Sequence, residues 1–299
     1  MTVILRSAAT KNLVSVRINA GFFAALRMTR LVFLGFACAL TTAATAQPTR
    51  VMSLNLCTDV LVLHLAQRQH IASLSHIATN SPLSPIVESA RGIPGNYASA
   101  EEIVSFQPDL VVARRYTASA TVALARKLGF RVLELNDPRN YDEALTQIRL
   151  MADVLGETAR GEALIAQMNA RLAAVSPPTQ RRPLAVVYGP NGYTFGPGSL
   201  LDDLIRRAGF ENLAAQAGLG EAGILPLESL LLNPPEVLFI ERETRSVTSL
   251  ADQTLSHPAL RRLASRVPSA DLSSRLWNCA GPEIVEAVVQ MATVRKAME

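Results

Sequence analysis

Two doubly wound α/β lobes joined by a helical segment are what the sequence predicts, and three observations carry that prediction. From Arg50 onward, short β-branched and aliphatic runs alternate with helical patterns, as in a parallel sheet covered by helices. Residues 141–175 interrupt the alternation with no strand pattern at all. An internal repeat then sets residues 101–112 (EEIVSFQPDLVV) against 228–239 (ESLLLNPPEVLF) at one offset of 127 without a gap. Each copy reads as a short helix, a Pro turn and a core strand, so two copies mean a duplicated lobe. At 49% hydrophobic and 18% charged residues the chain is too apolar to be disordered.

The elements follow in order. RVMSLN (50–55) is a strand, followed by a helix from Thr58 or Asp59 to Ala66, and IASLSH (71–76) is a second strand. NSPLSP is a turn-rich loop. Ser99 and Glu102 stand at capping-box spacing ahead of Ile103, Val104 and Phe106, which starts a helix that Pro108-Asp109 ends. LVVA (110–113) is a buried strand, 119–128 a helix closed by Gly129, and RVLEL (131–135) another strand. Tyr141 opens a helix to Leu155; Gly156 breaks it, and a second helix runs from Thr158 to Val175, stopped by Ser176-Pro177-Pro178. The alternation resumes with LAVVYG (184–189), a helix from Ser199 to Ala208, one from about Leu227, the strand EVLFIE (236–241), helical pieces around 248–264 and a last helix from Pro282. The lobes are thus 50–140 and 183–299, with 141–182 as a helical connector.

Charge and cysteine content bound the partners. The formal charge of +4 resides at the N-terminus: residues 1–46 hold Arg6, Lys11, Arg17, Arg27 and Arg30 with no acid, and without them 24 basic residues face 25 acidic ones. The body lacks the electrostatic footprint of a nucleic-acid binder. Arg27 and Arg30, the apolar run Leu31–Leu40 and an Ala44-x-Ala46 site read as a secretory signal cleaved after Ala46, with Met28 as the expected start. The run is shorter than the roughly 20 residues of a bilayer span, so the product is expected to be exported and soluble. The mature chain keeps Cys57 and Cys279. In an oxidising compartment such a pair is either a disulfide or two small buried thiols, and the residues alone leave both open.

Several catalytic signals are missing. Gly218-x-Gly220-x-x-Gly223 matches a dinucleotide fingerprint, but NLAAQA rather than a strand precedes it, so it reads as a mobile loop. There is no P-loop, no G-x-S-x-G and no Cys/His spacing for a metal; no catalytic residue, metal ligand or resident cofactor is expected. Among the histidines only His76, at a strand end, stands where a doubly wound sheet binds ligands; its alternative is a solvated loop histidine. The segment Asn191–Gly198 (NGYTFGPG) at another strand end describes a binding loop. Trp277, the only Trp, sits just before the final helix, either as core or on a ligand rim. Glu101 and Glu228 occupy first turns, where the helix dipole favours acids by roughly 0.3–1 kcal/mol. That accounts for each alone but not for their recurrence at one offset, which suits a docking surface for two matching arginines.

On these residues the sequence resembles the periplasmic substrate-binding proteins of ABC importers, in the branch serving vitamin B12 and iron–siderophore complexes, with the cobalamin-binding members nearest. The secretory signal, RVMSLNLCTD, the Ser99–Val112 unit, the central helix, NGYTFGPGSLLDDL and LWNCAGPE carry the likeness, which covers residues 50–299. The resemblance implies two lobes joined by a single long helix, with ligand held in the cleft between them. It implies one acidic docking residue per lobe, here Glu101 and Glu228. It places ligand-lining positions at His76, Asn96, Tyr97, Arg115, Tyr116, Asn191, Tyr193 and Trp277. Cys57 and Cys279 would both lie on cleft-facing loops, in reach of a bridge across the lobes. The expectation is a monomeric periplasmic carrier delivering a corrinoid to an inner-membrane permease. A ferric siderophore or haem carrier is the alternative; haem would favour Tyr or His as an axial ligand, with Tyr97, Tyr116, Tyr193 and His76 as the candidates. An exported α/β enzyme, or a receptor module with a filled cleft, are the alternatives from other classes.

Overall fold

The computed structural model describes residues 2–5, 14–17, 47–80, 82–115, 117–175, 181–242 and 250–298. The chain divides into two compact units, Met1–Ala46 and Gln47–Glu299. In the first, Thr2–Leu5 pairs antiparallel with Val14–Arg17. Met28, the apolar run and the cleavage site expected after Ala46 lie outside the described residues, as does Tyr116.

The second unit opens with five parallel strands, β1 (Val51–Ser53), β2 (Ile71–Ser75), β3 (Gly95–Asn96), β4 (Leu110–Arg114) and β5 (Val132–Leu135). Their order in the sheet is β3-β2-β1-β4-β5. Helices α1 (Leu56–Leu65), α2 (Ala100–Phe106) and α3 (Ser119–Lys127) supply crossovers. Asn55 caps α1 by accepting from the Cys57 amide at 2.9 Å. The predicted capping box of α2 is present in both directions, Glu102 N to Ser99 Oγ at 3.2 Å and Ser99 N to Glu102 Oε2 at 3.0 Å.

The connector is two helices, α4 (Tyr141–Leu155) and α5 (Thr158–Ala173), packed on each other. Gly156, in the left-handed region at φ +71°, closes α4. Both connector helices touch both lobes: α4 packs on α1 and its Tyr141 N donates to Asp203 Oδ2 at 2.9 Å, while α5, about 24 Å long at 1.5 Å per residue, packs on the Glu283–Lys296 helix and its Arg160 reaches Ala66 O at 3.2 Å. The first buries Tyr141, Ala144, Leu145, Ile148, Met151, Ala152 and Leu155, an i, i+3, i+4, i+7 stripe facing the core.

After the connector come β6 (Leu184–Tyr188), β7 (Tyr193–Phe195), α6 (Leu200–Arg207), β8 (Glu211–Asn212), β9 (Ala222–Ile224), α7 (Leu227–Leu232), β10 (Val237–Ile240), α8 (Pro258–Ala264), β11 (Ser269–Asp271) and α9 (Glu283–Lys296). Four of these strands form a parallel sheet in the order β8-β6-β10-β11. This matches β2-β1-β4-β5 strand for strand, and the two repeat copies fall on α2–β4 and α7–β10, so the duplication read in the sequence is a duplication of topology. The glycine-rich segment after Gly218 is not a free loop: its end forms β9, antiparallel to β7, and Gly196 N donates to Glu221 O at 3.1 Å.

Strand residues alternate between two environments, as a pleated strand requires. Val51, Leu110, Val112, Ala185, Val187, Val237 and Phe239 enter one core that runs without interruption through α1, α4, α5, α6 and α9 of both lobes. Met52, Val111 and Ala113 face a separate cluster on the first lobe, and Val186, Tyr188, Leu238 and Ile240 another on the second.

Candidate ligand-binding cleft

In both sheets the strand order reverses beside the first strand, between β1 and β4 and between β6 and β10. Ligands of open α/β sheets bind outside the carboxyl ends of the strands at such a point. The cavity found there, of about 260 Å³, is walled by both lobes. From the first lobe come Cys57 and Thr58 at the start of α1, Arg114 at the end of β4, and Leu135–Pro138 after β5. The second lobe contributes Phe195, Ser199–Leu201, Glu221, Trp277, Asn278 and Ala280.

The second-lobe wall is aromatic. Trp277 and Phe195 meet edge to face with ring centroids 5.2 Å apart, and Phe195 meets Tyr193 in the same way at 5.1 Å. This arrangement suits the quadrupoles of the rings and presents a stiff apolar face. Trp277 is buried, and its Nε1 has no hydrogen-bond partner among the described residues. The polar groups are charge-balanced: Arg114 Nε bonds to Asp137, and Arg139 Nη2 reaches Glu221 Oε2 at 2.7 Å, pairing the connector side with the second lobe. The structure joins Cys57 and Cys279 by a disulfide with Cα atoms 4.8 Å apart, across the lobes. Among the described residues no group of three His, Cys, Asp or Glu is placed to hold a metal ion.

Of the predicted ligand-lining positions among the described residues, only Trp277 lines this cavity. His76, just after β2, stacks on Tyr97 with centroids 4.3 Å apart, and its Nδ1 is buried without a partner among the described residues. Tyr97 is 73% exposed. Neither lines the cavity; they stand at the outer edge of the first sheet. Asn96 turns inward instead. Its Nδ2 donates to Ser53 O, Ser73 Oγ and Leu74 O at 2.8–2.9 Å while its Oδ1 accepts from Ala98 N at 3.1 Å, so its side chain ties strands together. Arg115 is exposed and reaches Asn136 Oδ1 at 3.2 Å; the preceding residue, Arg114, is the one on the cavity wall. Asn191, in a turn at φ +56°, and Tyr193 are exposed.

Glu101 and Glu228 are exposed in the first turns of α2 and α7, the same topological place in each lobe. Reading the sequence missed Arg114, Asp137 and Glu221 on the wall, and Arg139 that pairs with Glu221. Isolated charged residues carry no spacing signature, and only the packing of strand ends shows which of them face inward.

The family model described as periplasmic binding protein matches residues 51–265. A cobalamin-binding protein of Halobacterium salinarum is 24% identical over 255 residues, covering 83% of this chain and 69% of that protein. The apo structure of the periplasmic haem-binding protein RhuT of Roseiflexus sp. RS-1 is 26% identical, with a TM-score of 0.67 over 82% of this chain and 97% of that one. The periplasmic vitamin B12-binding protein BtuF of Vibrio cholerae is 16% identical, with a TM-score of 0.62 over 84% of this chain and 97% of that one, a likeness of fold.

Proposed function

The chain belongs to the periplasmic binding protein family, and from that premise we propose that it captures a corrinoid of the vitamin B12 type and hands it to the permease of an ABC importer. The observation that carries this reading is the cavity walled by the carboxyl ends of both sheets, with an aromatic face opposite balanced charges. Arg114 with Asp137 and Arg139 with Glu221 leave no net charge there, which suits a ligand whose periphery is neutral amide rather than a polyanion. The gap of about 260 Å³ lies just below the ~300–1,000 Å³ usual for ligand pockets. A corrinoid would fill it and extend into the open mouth toward Tyr193. The cobalamin-binding relative supports the same ligand class.

The chain is a carrier without chemistry or resident cofactor, exported by its N-terminal signal, working as a monomer in the periplasm and docking through Glu101 and Glu228. A second reading has one specific support. The stacked His76–Tyr97 pair presents both side-chain types that ligate haem iron, and the haem-binding relative is 26% identical.

Titration of the mature protein with cyanocobalamin, haemin and a ferric hydroxamate, followed by absorbance, separates the readings. Saturable cyanocobalamin binding that survives Tyr97→Phe is expected. Binding of haemin alone, lost in Tyr97→Phe, would replace the corrinoid with haem.

A further inference from the structure

One face of α1 is sewn to the segment that enters α9. Cys57 is bonded to Cys279. Val60 lies against Gly281, where an added Cβ would stand 2.4 Å from Val60 Cγ1, so only glycine allows the approach. His64 Nε2 sits 3.0 Å from Glu283 Oε1. Positions 57, 60 and 64 form a single stripe along a helix, and 279, 281 and 283 are alternate residues of the facing segment. The helix belongs to the first lobe and the segment to the second.

The seam is also part of the cavity wall, since Cys57, Trp277, Asn278 and Ala280 line the gap. The α4–α5 connector and the core shared by both lobes hold them together at the base of the cleft. The disulfide adds a covalent tie at the cavity wall between residues 222 apart in sequence. Of the seam's three contacts, the partly exposed His64–Glu283 pair is individually weak and the Gly281 contact is steric, so the covalent link is the one that holds the width.

We propose that this seam, through the Cys57–Cys279 bond, is the specificity-determining element of the cleft: it fixes the spacing between α1 and the Trp277 loop and so the size of ligand retained. The inference rests on the reading of this cavity as the ligand site.

The test compares the oxidised protein with the Cys57→Ser/Cys279→Ser variant, using cyanocobalamin and the smaller dicyanocobinamide as probes. Two results are expected in the variant. Hydrogen exchange speeds up in residues 54–66 and 277–285 while α3 is unchanged, and the affinity ratio between the two corrinoids shifts by about tenfold, mostly in dissociation rate. A loss of stability alone would speed exchange everywhere and leave that ratio in place. Should the variant not fold, wild type treated with dithiothreitol serves; the reagent closes to its cyclic disulfide as the two protein thiols form, and circular dichroism reports whether the fold is kept. Unchanged local exchange and an unchanged ratio overturn the proposal. If neither form binds either corrinoid, the cleft's ligand assignment fails, and local exchange still decides whether the seam holds the lobes.

Discussion

Asp59 is a buried carboxyl group two residues from the disulfide. It accepts hydrogen bonds from the Ser75 amide at 3.0 Å and from the Ser75 hydroxyl. Burial pushes its pKa from 3.8 up to about 7, against the pull of hydrogen bonds from Ser53 and Ser75. In the unfolded chain the group titrates near 3.9. Between those values the folded protein holds a proton that the unfolded chain releases, so the contribution is full on the acid side and is lost as pH rises toward 7. The variant Asp59→Asn keeps an amide in the same hydrogen-bonding place without the ionisation. Its thermal midpoint is expected to exceed that of wild type at pH 8, by an equivalent of at most roughly 4 kcal/mol, and to converge with it near pH 4. Melting curves at pH 4, 6 and 8 check this; a wild-type advantage at pH 8 would refute it.

At the scale of elements, α2 and α7 are the informative pair. Ser99 satisfies an amide at the start of α2 that would otherwise lack a partner. Ser99→Ala is expected to cost about 1 kcal/mol and lower the melting temperature by a few degrees, which calorimetry reads. Glu101 and Glu228, by contrast, are exposed and carry no ion pair among those described, so they do little for stability. Glu101→Lys with Glu228→Lys is expected to abolish ligand uptake in a transport assay while shifting ligand affinity less than about twofold, because exposed charges are screened beyond roughly 8–10 Å. A large loss of affinity would move both residues from docking to binding. The connector also matters here. Gly156 turns the chain between α4 and α5, and both helices bridge the lobes: α4 packs on α1 and α6, and α5 packs on α9.

For the whole molecule, one core continues from β1 to α9, so the lobes of residues 47–299 are not independent folding units. A single cooperative thermal transition is expected, and two resolved transitions would contradict it. The disulfide spans 222 residues, and restricting so long a loop in the unfolded chain stabilises by about 5 kcal/mol in the chain-entropy account. Reduction is therefore expected to lower the melting temperature by roughly 10 °C, measured with and without dithiothreitol. A shift of a degree or two would show that the reduced chain retains the constraint through its core.

What the sequence alone determined was set by local periodicity and capping: the alternating strands and helices, the strandless connector with its break at Gly156, the Ser99–Glu102 cap and the duplicated unit. It also marked two segments that reach the cavity wall, NGYTFGPG through Phe195 and LWNCAGPE through Trp277, Asn278 and Ala280, because glycine, proline and aromatic residues at strand ends leave a compositional trace. Only the tertiary structure decided between thiols and a bridge for Cys57 and Cys279, since pairing depends on a distance across the lobes. It alone put Arg114 rather than Arg115 on the wall, as one step along an extended chain reverses a side chain's face. Likewise it turned Asn96 into the sheet, where three acceptors compete for its amide. The two-residue edge strands β3 and β8 were too short for any pattern, and their partners' exposed edges supply the reason they form.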